Sequence, residues 1–215
     1  AQALSFASKF KLDLLTVDGA GGGTGMSPWR MMNEWGVPPV ELHSLLYRYA
    51  KRLADAGRHL PAIAVASGIV FEDQIFKGLA LGAPFVKLAG MARAPIAAAM
   101  VGKTIGKAIE AQDLPVYVER FGTTKDEIFV TAAMLRKELG DKEFDGLPAG
   151  AIGLYTYYER LAQGLRQLMA GSRKFALRHI SRDDLAALTP EAAAVSGIPY
   201  VMDVDRAEVE AILGV

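Results

Sequence analysis

The stretch that decides the fold runs from Ala62 to Met91 and has the sequence AIAVASGIVFEDQIFKGLALGAPFVKLAGM. It begins with an all-apolar run at residues 62–66, a pattern typical of a strand buried on both faces. A Ser-Gly turn follows, and then a segment with helical character over residues 72–81. A second apolar run at residues 85–88 leads into Gly90. The stretch therefore predicts a parallel β/α/β unit with a glycine turn after each strand.

The same order of elements precedes this stretch. Residues 12–17 (LDLLTV) predict a further short strand, which runs into the glycine-rich loop DGAGGGTG at residues 18–25. Residues 39–56 carry leucines and a tyrosine at helical spacing with charged residues between them, which predicts an amphipathic helix. Strand, loop and helix thus recur along the chain, and we predict an α/β domain at residues 1–110.

After this domain the sequence has no clear strand pattern. We predict only helices in the remaining part, residues 111–215, and interpret that part as a helical C-terminal extension packed on the first domain. The predicted helices cover residues 123–139, 152–170, 182–187, 189–195 and 206–213.

Composition narrows the classes of function. The 24 Lys and Arg residues balance the 24 Asp and Glu residues, so the net charge is zero and no bulk charge attracts nucleic acid or an anionic membrane. The chain has no apolar run of about 18 residues and no signal-peptide pattern, which predicts a cytoplasmic protein without a membrane span. It has no cysteine, and this excludes disulfides, cysteine nucleophiles and an iron–sulfur cluster ligated by thiolates of this chain.

The glycine turns are the candidate ligand-binding elements. Glycines after a parallel strand let backbone N–H groups approach a phosphate or a flavin ring without obstruction. The loop at residues 18–25 matches neither the dinucleotide fingerprint nor a P-loop, and taken alone it is also compatible with a surface turn. The turns Ser67-Gly68 and Gly90-Met91 follow successive strands, as do the phosphate-binding loops of many (β/α)8 barrels. Arg93 would add a charge-assisted contact.

Two motifs carry a resemblance to a known family. The segment GLALGA at residues 78–83 resembles the final unit of FMN-dependent barrels, a feature shared with IMP-dehydrogenase-like barrels. The loop DGAGGGTGMSP at residues 18–28 is similar to the loop typical of the FMN-binding domain of glutamate synthase and its relatives. The likeness extends to IGLYTYYE at residues 152–159, which resembles the helix that follows the barrel in that family.

The resemblance implies a fold and a reaction. The three predicted strands would be strands six, seven and eight of a (β/α)8 barrel of the TIM type, so that residues 1–110 would be a partial FMN-binding barrel. The family is an FMN-dependent oxidoreductase that acts on CH–NH2 donors. It reduces 2-iminoglutarate, formed from 2-oxoglutarate and ammonia, to glutamate in amino-acid and nitrogen metabolism, and the flavin carries the difficult chemistry.

The resemblance also implies site residues. Backbone N–H groups of one set of residues would hold the FMN phosphate, and glycines of the first loop would flank the flavin. A second set would bind the substrate, 2-oxoglutarate or a related molecule. The expected cofactor-binding residues are Gly22, Gly23, Thr24, Gly25, Ser67, Gly68, Gly90, Met91 and Arg93. The expected substrate-binding residues are Asp18, Thr24 and Ser27. No catalytic residue and no metal ligand is assigned.

The chain departs from the family in two ways. The family's cluster-ligating cysteines follow strand eight, and residues 97–114 contain none here, so electrons must reach a flavin by another route. A closed barrel needs eight strands, and only three are predicted. We therefore expect an N-terminal half of the barrel in the same or another chain, and a glutaminase or electron-donor subunit is a further possible partner. A partial barrel with open strand edges is expected to aggregate or oligomerise without its complement.

Two other functions remain open from the sequence. One is a different barrel that binds a nucleotide or a sugar phosphate, as IMP-dehydrogenase-like barrels do. The other is a non-catalytic half-barrel that supplies only a phosphate clamp or an interface to a partner. The histidines His43, His59 and His179 do not decide between these functions, since each is most simply a surface or helix-end residue and no pair has metal-ligand spacing.

Overall fold

The computed structural model describes residues 1–23 and 25–214. The chain forms two compact units: the first contains Ala1–Gly90 and Arg166–Val215, and the second contains Met91–Leu165. The α/β class predicted from the sequence is confirmed. No helix in the described ranges combines the length and apolar character required to span a membrane.

Three strands and twelve α-helices make up the described chain, with two short 3-10 turns at Leu177–His179 and Arg182–Asp184. The strands are β1 (Leu14–Asp18), β2 (Ala62–Ala66) and β3 (Val86–Gly90). The helices are α1 (Gln2–Lys9), α2 (Trp29–Asn33), α3 (Pro39–Asp55), α4 (Glu72–Gly82), α5 (Arg93–Ala111), α6 (Val116–Glu119), α7 (Lys125–Ile128), α8 (Ala132–Leu139), α9 (Asp141–Gly146), α10 (Ala149–Gly171), α11 (Pro190–Ser196) and α12 (Arg206–Leu213).

The first unit is built on a parallel sheet with strand order β1-β2-β3. Helices cover one face of the sheet. The side chains of Ile63, Val65 and Val86 on that face are buried. Gly78 of α4 lies against Val65 in this packing, and a Cβ there would be at an ordinary contact distance, 3.6 Å, from a methyl group of Val65. Apolar residues that alternate along parallel strands are thereby removed from water on the helical side.

The opposite face of the sheet is open. Leu14 of β1 and Leu88 of β3 are 49% and 50% exposed, and Ala62 of β2 is exposed as well. Lys87 is also exposed, at an irregularity in the pairing of β2 with β3. The sheet therefore has one buried and one solvent-facing surface in this chain, although its strands have the apolar composition of strands covered on both faces.

In the second unit, whose residues are all described, the regular secondary structure consists of helices joined by turns. Helices α5 and α10 approach closely through glycines: a Cβ on Gly102 would lie 2.6 Å from the carbonyl oxygen of Ala149, and one on Gly153 would lie 3.0 Å from that of Ala98. A separate apolar cluster is formed by buried side chains from several of the shorter helices and from α10. Its buried members are Phe129, Ala132, Leu135, Phe144 and Ile152.

Two predicted helices are wrong in their extent. The helix expected over residues 123–139 is two helices, α7 and α8, because the chain becomes extended at Phe129, whose side chain is only 6% exposed within the apolar cluster. Of the helix expected over residues 182–187, only a 3-10 turn at Arg182–Asp184 is formed. Ala187, the last residue of the expected helix, instead forms an isolated parallel bridge with Tyr200. In both places a buried contact determines the local conformation over the helical preference.

Candidate functional site

The carboxyl ends of the three strands meet at one edge of the sheet. Asp18, the last residue of β1, pairs with Ala66, the last residue of β2, and Ala66 pairs in turn with Gly90, the last residue of β3. The predicted turn at Ser67-Gly68 therefore starts beside Gly90. In open parallel sheets and barrels, ligands bind at this edge.

The first loop is tied to the end of β2. The N–H of Gly19 donates to the hydroxyl oxygen of Ser67 at 2.6 Å and to the carbonyl of Ala66 at 3.2 Å. A Cβ at position 19 would lie 2.7 Å from the Ser67 hydroxyl and 2.9 Å from the Val37 carbonyl oxygen, so glycine is needed there. The Ser67 side chain thus joins the two loops instead of pointing freely toward a ligand.

The next N–H groups of this loop are also bonded within the protein. Ala20 donates to the Val37 carbonyl at 2.8 Å, and Gly21 donates to the Met32 carbonyl at 2.6 Å. Gly22 donates to Gly19 at 2.8 Å. These bonds fix the loop as a rigid backbone surface. They also mean that Gly22 has its N–H engaged, and its contribution to ligand binding would be close approach of its main chain.

The remaining loop residues lie further along this surface. The carboxylate of Asp18 occupies the space in which a Cβ of Gly22 would stand. Gly23 has a φ of +120° and lies beside Ser27, since its Cβ position is 3.1 Å from the Ser27 hydroxyl oxygen. Gly25 is exposed with no atom near its Cβ position. Thr24, which the sequence assigned to both cofactor and substrate, lies outside the described residues.

The turn after β2 has the features of an anion site. Gly68 adopts a left-handed conformation with a φ of +61°, and nothing lies within 4 Å of its Cβ position. Within the described ranges, the N–H groups of Gly68 and Ile69 have no protein acceptor. The following N–H groups, of Val70 and Phe71, donate to the side-chain oxygen of Gln74 at 2.7 and 3.1 Å. A turn with unbonded N–H groups before a helix fits a phosphate.

One residue of this region was missed by the sequence reasoning. Glu72, the first residue of α4, has a buried carboxylate oxygen, Oε2, with no hydrogen-bond partner in the described part of the chain. A buried acceptor without a donor is costly, so it marks a position where a ligand hydroxyl or amine would be stabilising. The next residue, Asp73, is paired with Lys77 at 2.7 Å, and that hydrogen bond lowers the pKa of the aspartate. In the sequence, the only signal that Glu72 belongs to the site is its position directly after the turn.

Two further predicted residues belong to the second unit. Met91 follows β3 directly and is half-buried, and Arg93 is the exposed first residue of α5.

The histidines have separate environments. His43 is buried in α3, contrary to the expectation of a surface or helix-end residue, and burial lowers its pKa. His59 contacts the carbonyl oxygen of Leu12 at 2.9 Å through Nε2, and His179 is exposed. Among the described residues, no group of three or more His, Asp or Glu side chains is arranged to hold a metal ion.

Comparison with known proteins gives a family match for the part of the chain that contains the three strands and the loops after them. Residues 1–102 match the family model described as the conserved region in glutamate synthase. The match supports a glutamate-synthase-like domain in this part of the chain. The match includes all three strands, the loop at residues 18–25 and the turns after β2 and β3.

The resemblance found in the sequence is thereby confirmed for residues 1–102, and it relates this part of the chain to an oxidoreductase-type family of enzymes. No curated protein and no solved structure matches the chain significantly.

Proposed function

We propose that the chain supplies the FMN phosphate-binding part of a glutamate-synthase-like oxidoreductase that reduces 2-iminoglutarate to glutamate. The observation that supports this most directly is the adjacency of the turn at Ser67-Gly68 to Gly90, together with the unbonded N–H groups of Gly68 and Ile69. N–H groups at such a turn stabilise a phosphate dianion without a neighbouring cation. Met91 and Arg93 belong to the second unit, and their contact with the phosphate stays a prediction from the resemblance alone.

The first loop has a different part in the proposed site. Its main chain at Gly22 is hydrogen-bonded within the protein, and in the proposal a planar ring lies against it. Asp18 and Ser27 border this loop and serve as the substrate-binding side chains, and the resemblance assigns the same role to Thr24. When bound, FMN supplies the hydride for reduction of the imine, and the residues of this chain hold and orient the reactants.

The open sheet face supports the barrel interpretation. In the proposal, β1, β2 and β3 are strands six to eight of a (β/α)8 barrel, and the exposed face with Leu14 and Leu88 becomes its interior. The covering strands come from a complementary half of the barrel, in the same or another chain. That half supplies the catalytic acid or base, and an electron donor or a glutaminase subunit acts as a further partner.

The experiment that tests the phosphate site compares FMN with riboflavin, which lacks the phosphate. We expect the chain to quench FMN fluorescence saturably and to bind FMN about tenfold more tightly than riboflavin, because only FMN uses the turn at Gly68. Equal affinities, or no binding of FMN, would overturn the assignment of the phosphate site to this chain.

A pair of glycine variants controls for folding. Gly68 and Gly57 have nearly the same left-handed φ, +61° and +64°, and neither has an atom within 4 Å of its Cβ position. Gly68→Ala and Gly57→Ala therefore introduce the same backbone strain, of about 1 kcal/mol. We expect only Gly68→Ala to weaken FMN binding. If both variants weaken it equally, the effect is one of stability and the proposed site is wrong.

A further inference from the structure

A second candidate ligand site lies in the first unit, in a groove of about 650 Å³. Its lining comes from α3, from the segment before β3 and from the chain after α10, and it includes none of the residues of the proposed flavin site. The apolar part of the lining includes Tyr47, Pro84, Ile198 and Pro199, and the charged part includes Arg178 and Arg182. The volume is within the range of small-molecule sites.

Arg182 is held rigidly at this groove. Its guanidinium donates to the carbonyl oxygen of Leu81 at 2.5 Å and to that of Ser196 at 2.6 Å, and it stacks 3.9 Å from the ring centre of Tyr47. Within the described ranges, no carboxylate lies within 4 Å of it. Burial lowers the pKa of Arg182. A partly buried cation with no carboxylate in contact is costly.

A second arginine adds to this positive charge. Arg48 donates to the carbonyl oxygens of Ala194 at 3.2 Å and Val195 at 2.5 Å, and it too forms no ion pair in the described part of the chain. Its charge acts on Arg182 and contributes to the lowering of that pKa. Both guanidiniums are thus bonded to carbonyl oxygens, which offset their charges only in part, and the carboxylate of Asp183 attracts Arg182 without contacting it.

The rim of the groove carries one further cation. Arg178 is exposed and forms no ion pair with a described residue, and His179 lies next to it. The same two residues line an adjoining groove of about 500 Å³ that contains Arg173. One carboxylate, that of Asp183, lines the larger groove. An anion in the groove would therefore meet a guanidinium held in place at Arg182 and an exposed one at Arg178.

We propose that this groove binds a phosphate monoester of a small molecule with an apolar or planar body. The phosphate lies between Arg178 and Arg182, and the body lies against Pro84 and Pro199. A phosphate is favoured over a single carboxylate because two guanidiniums can share its oxygens. The volume also leaves space for a body larger than the anion alone.

The experiment uses adenosine 5′-monophosphate and adenosine as probes with the purified chain, by titration calorimetry at low ionic strength. We expect the monophosphate to bind at least about tenfold more tightly than adenosine, since only the monophosphate reaches the arginines. Arg178→Gln is expected to remove most of this difference. Arg58→Gln makes the same charge change at an exposed arginine outside both grooves, and it is expected to have no effect.

The outcomes separate this site from the proposed flavin site. Loss of monophosphate binding in Arg178→Gln with full binding in Gly68→Ala supports the groove, whether or not FMN binds elsewhere. Loss in Gly68→Ala with full binding in Arg178→Gln assigns the phosphate to the turn after β2 and overturns the groove proposal. Equal affinity for adenosine and its monophosphate would overturn it as well, and so would binding of an acidic peptide without binding of the monophosphate.

Discussion

Gly90 lies beside Ala66 across two parallel strands, and a Cβ on Gly90 would stand 3.1 Å from the Cβ of Ala66. That distance is shorter than ordinary contact between two methyl groups. A side chain at Gly90 would therefore crowd Ala66, the residue before the turn at Ser67-Gly68. In the proposed site we expect such a side chain to take space from the phosphate.

Gly90→Val tests this requirement. We expect the variant to lose about 1–3 kcal/mol of unfolding free energy through overpacking against Ala66, and to lose FMN binding. Urea unfolding and FMN fluorescence measure the two effects. Ala62→Val is the matched control, because Ala62 is exposed at the amino end of β2. It should keep both stability and binding, and a wild-type affinity for FMN in Gly90→Val would contradict the assignment.

Gly102→Ala tests the close packing of α5 on α10. The added Cβ would stand 2.6 Å from the carbonyl oxygen of Ala149, a main-chain atom that cannot turn aside. We expect a loss of about 1–3 kcal/mol in the free energy of unfolding. Gly146→Ala, at the end of α9, meets no atom within 4 Å and should be neutral or slightly stabilising. Equal stability of the two variants would show that these helices can separate without cost.

Arg136→Gln tests an ion-pair cluster in the second unit. Arg136 contacts the carboxylates of Asp126, Asp141 and Asp145 at 2.9, 2.9 and 3.1 Å, and its hydrogen bond lowers the pKa of Asp126 below the ordinary 3.8. A lowered pKa in the folded state stabilises the protein above pH 3.8, and this contribution is lost as the pH falls further.

We therefore expect Arg136→Gln to lower the melting temperature at neutral pH and to show a smaller further loss on acidification than the unmodified chain. Melting curves between neutral pH and pH 3 measure this difference. Lys137→Gln removes a neighbouring exposed charge and should retain the full acid dependence. Parallel pH profiles for all three proteins would exclude a role for the cluster.

Burial lowers the pKa of His43 below its ordinary 6.5. Well above pH 6.5 the imidazole is uncharged in both the folded and the unfolded chain. Below pH 6.5 the unfolded chain takes up a proton first, so stability falls as the pH approaches the folded pKa. His43→Gln should unfold with a weaker dependence on pH between 7 and 5, measured by urea denaturation. His179→Gln, at an exposed position, should behave as the unmodified chain does.

Much of the first unit was predictable from sequence because its signals are local. The apolar run at residues 62–66 is a strand with those bounds, and the amphipathic pattern at residues 39–56 is a helix ending at Asp55. The glycine turns were placed correctly at the strand ends for the same reason: a glycine directly after an apolar run is a local signal that the strand ends there. The short helix α9 was not predicted, because six residues are too few to show a period.

The interactions within the candidate site were less predictable. The bond from Gly19 to Ser67 joins residues far apart in sequence, and no local pattern indicates it. Likewise, the unbonded oxygen of Glu72 and the carbonyl contacts of Arg182 depend on how elements pack. Residue types at the site could be named from sequence, whereas which of their donors and acceptors remain available depends on tertiary structure.

The three strands of the sheet differ in the number of neighbouring strands they have. Within the described residues, β2 has a partner strand on both sides, whereas β1 and β3 pair with β2 alone. In deuterium exchange, amides of β2 should therefore be retained longest, and those on the outer sides of β1 and β3 should exchange early. Addition of any chain that lengthens the sheet would slow exchange selectively at these outer amides, so the labelling pattern identifies which edge has gained a neighbour.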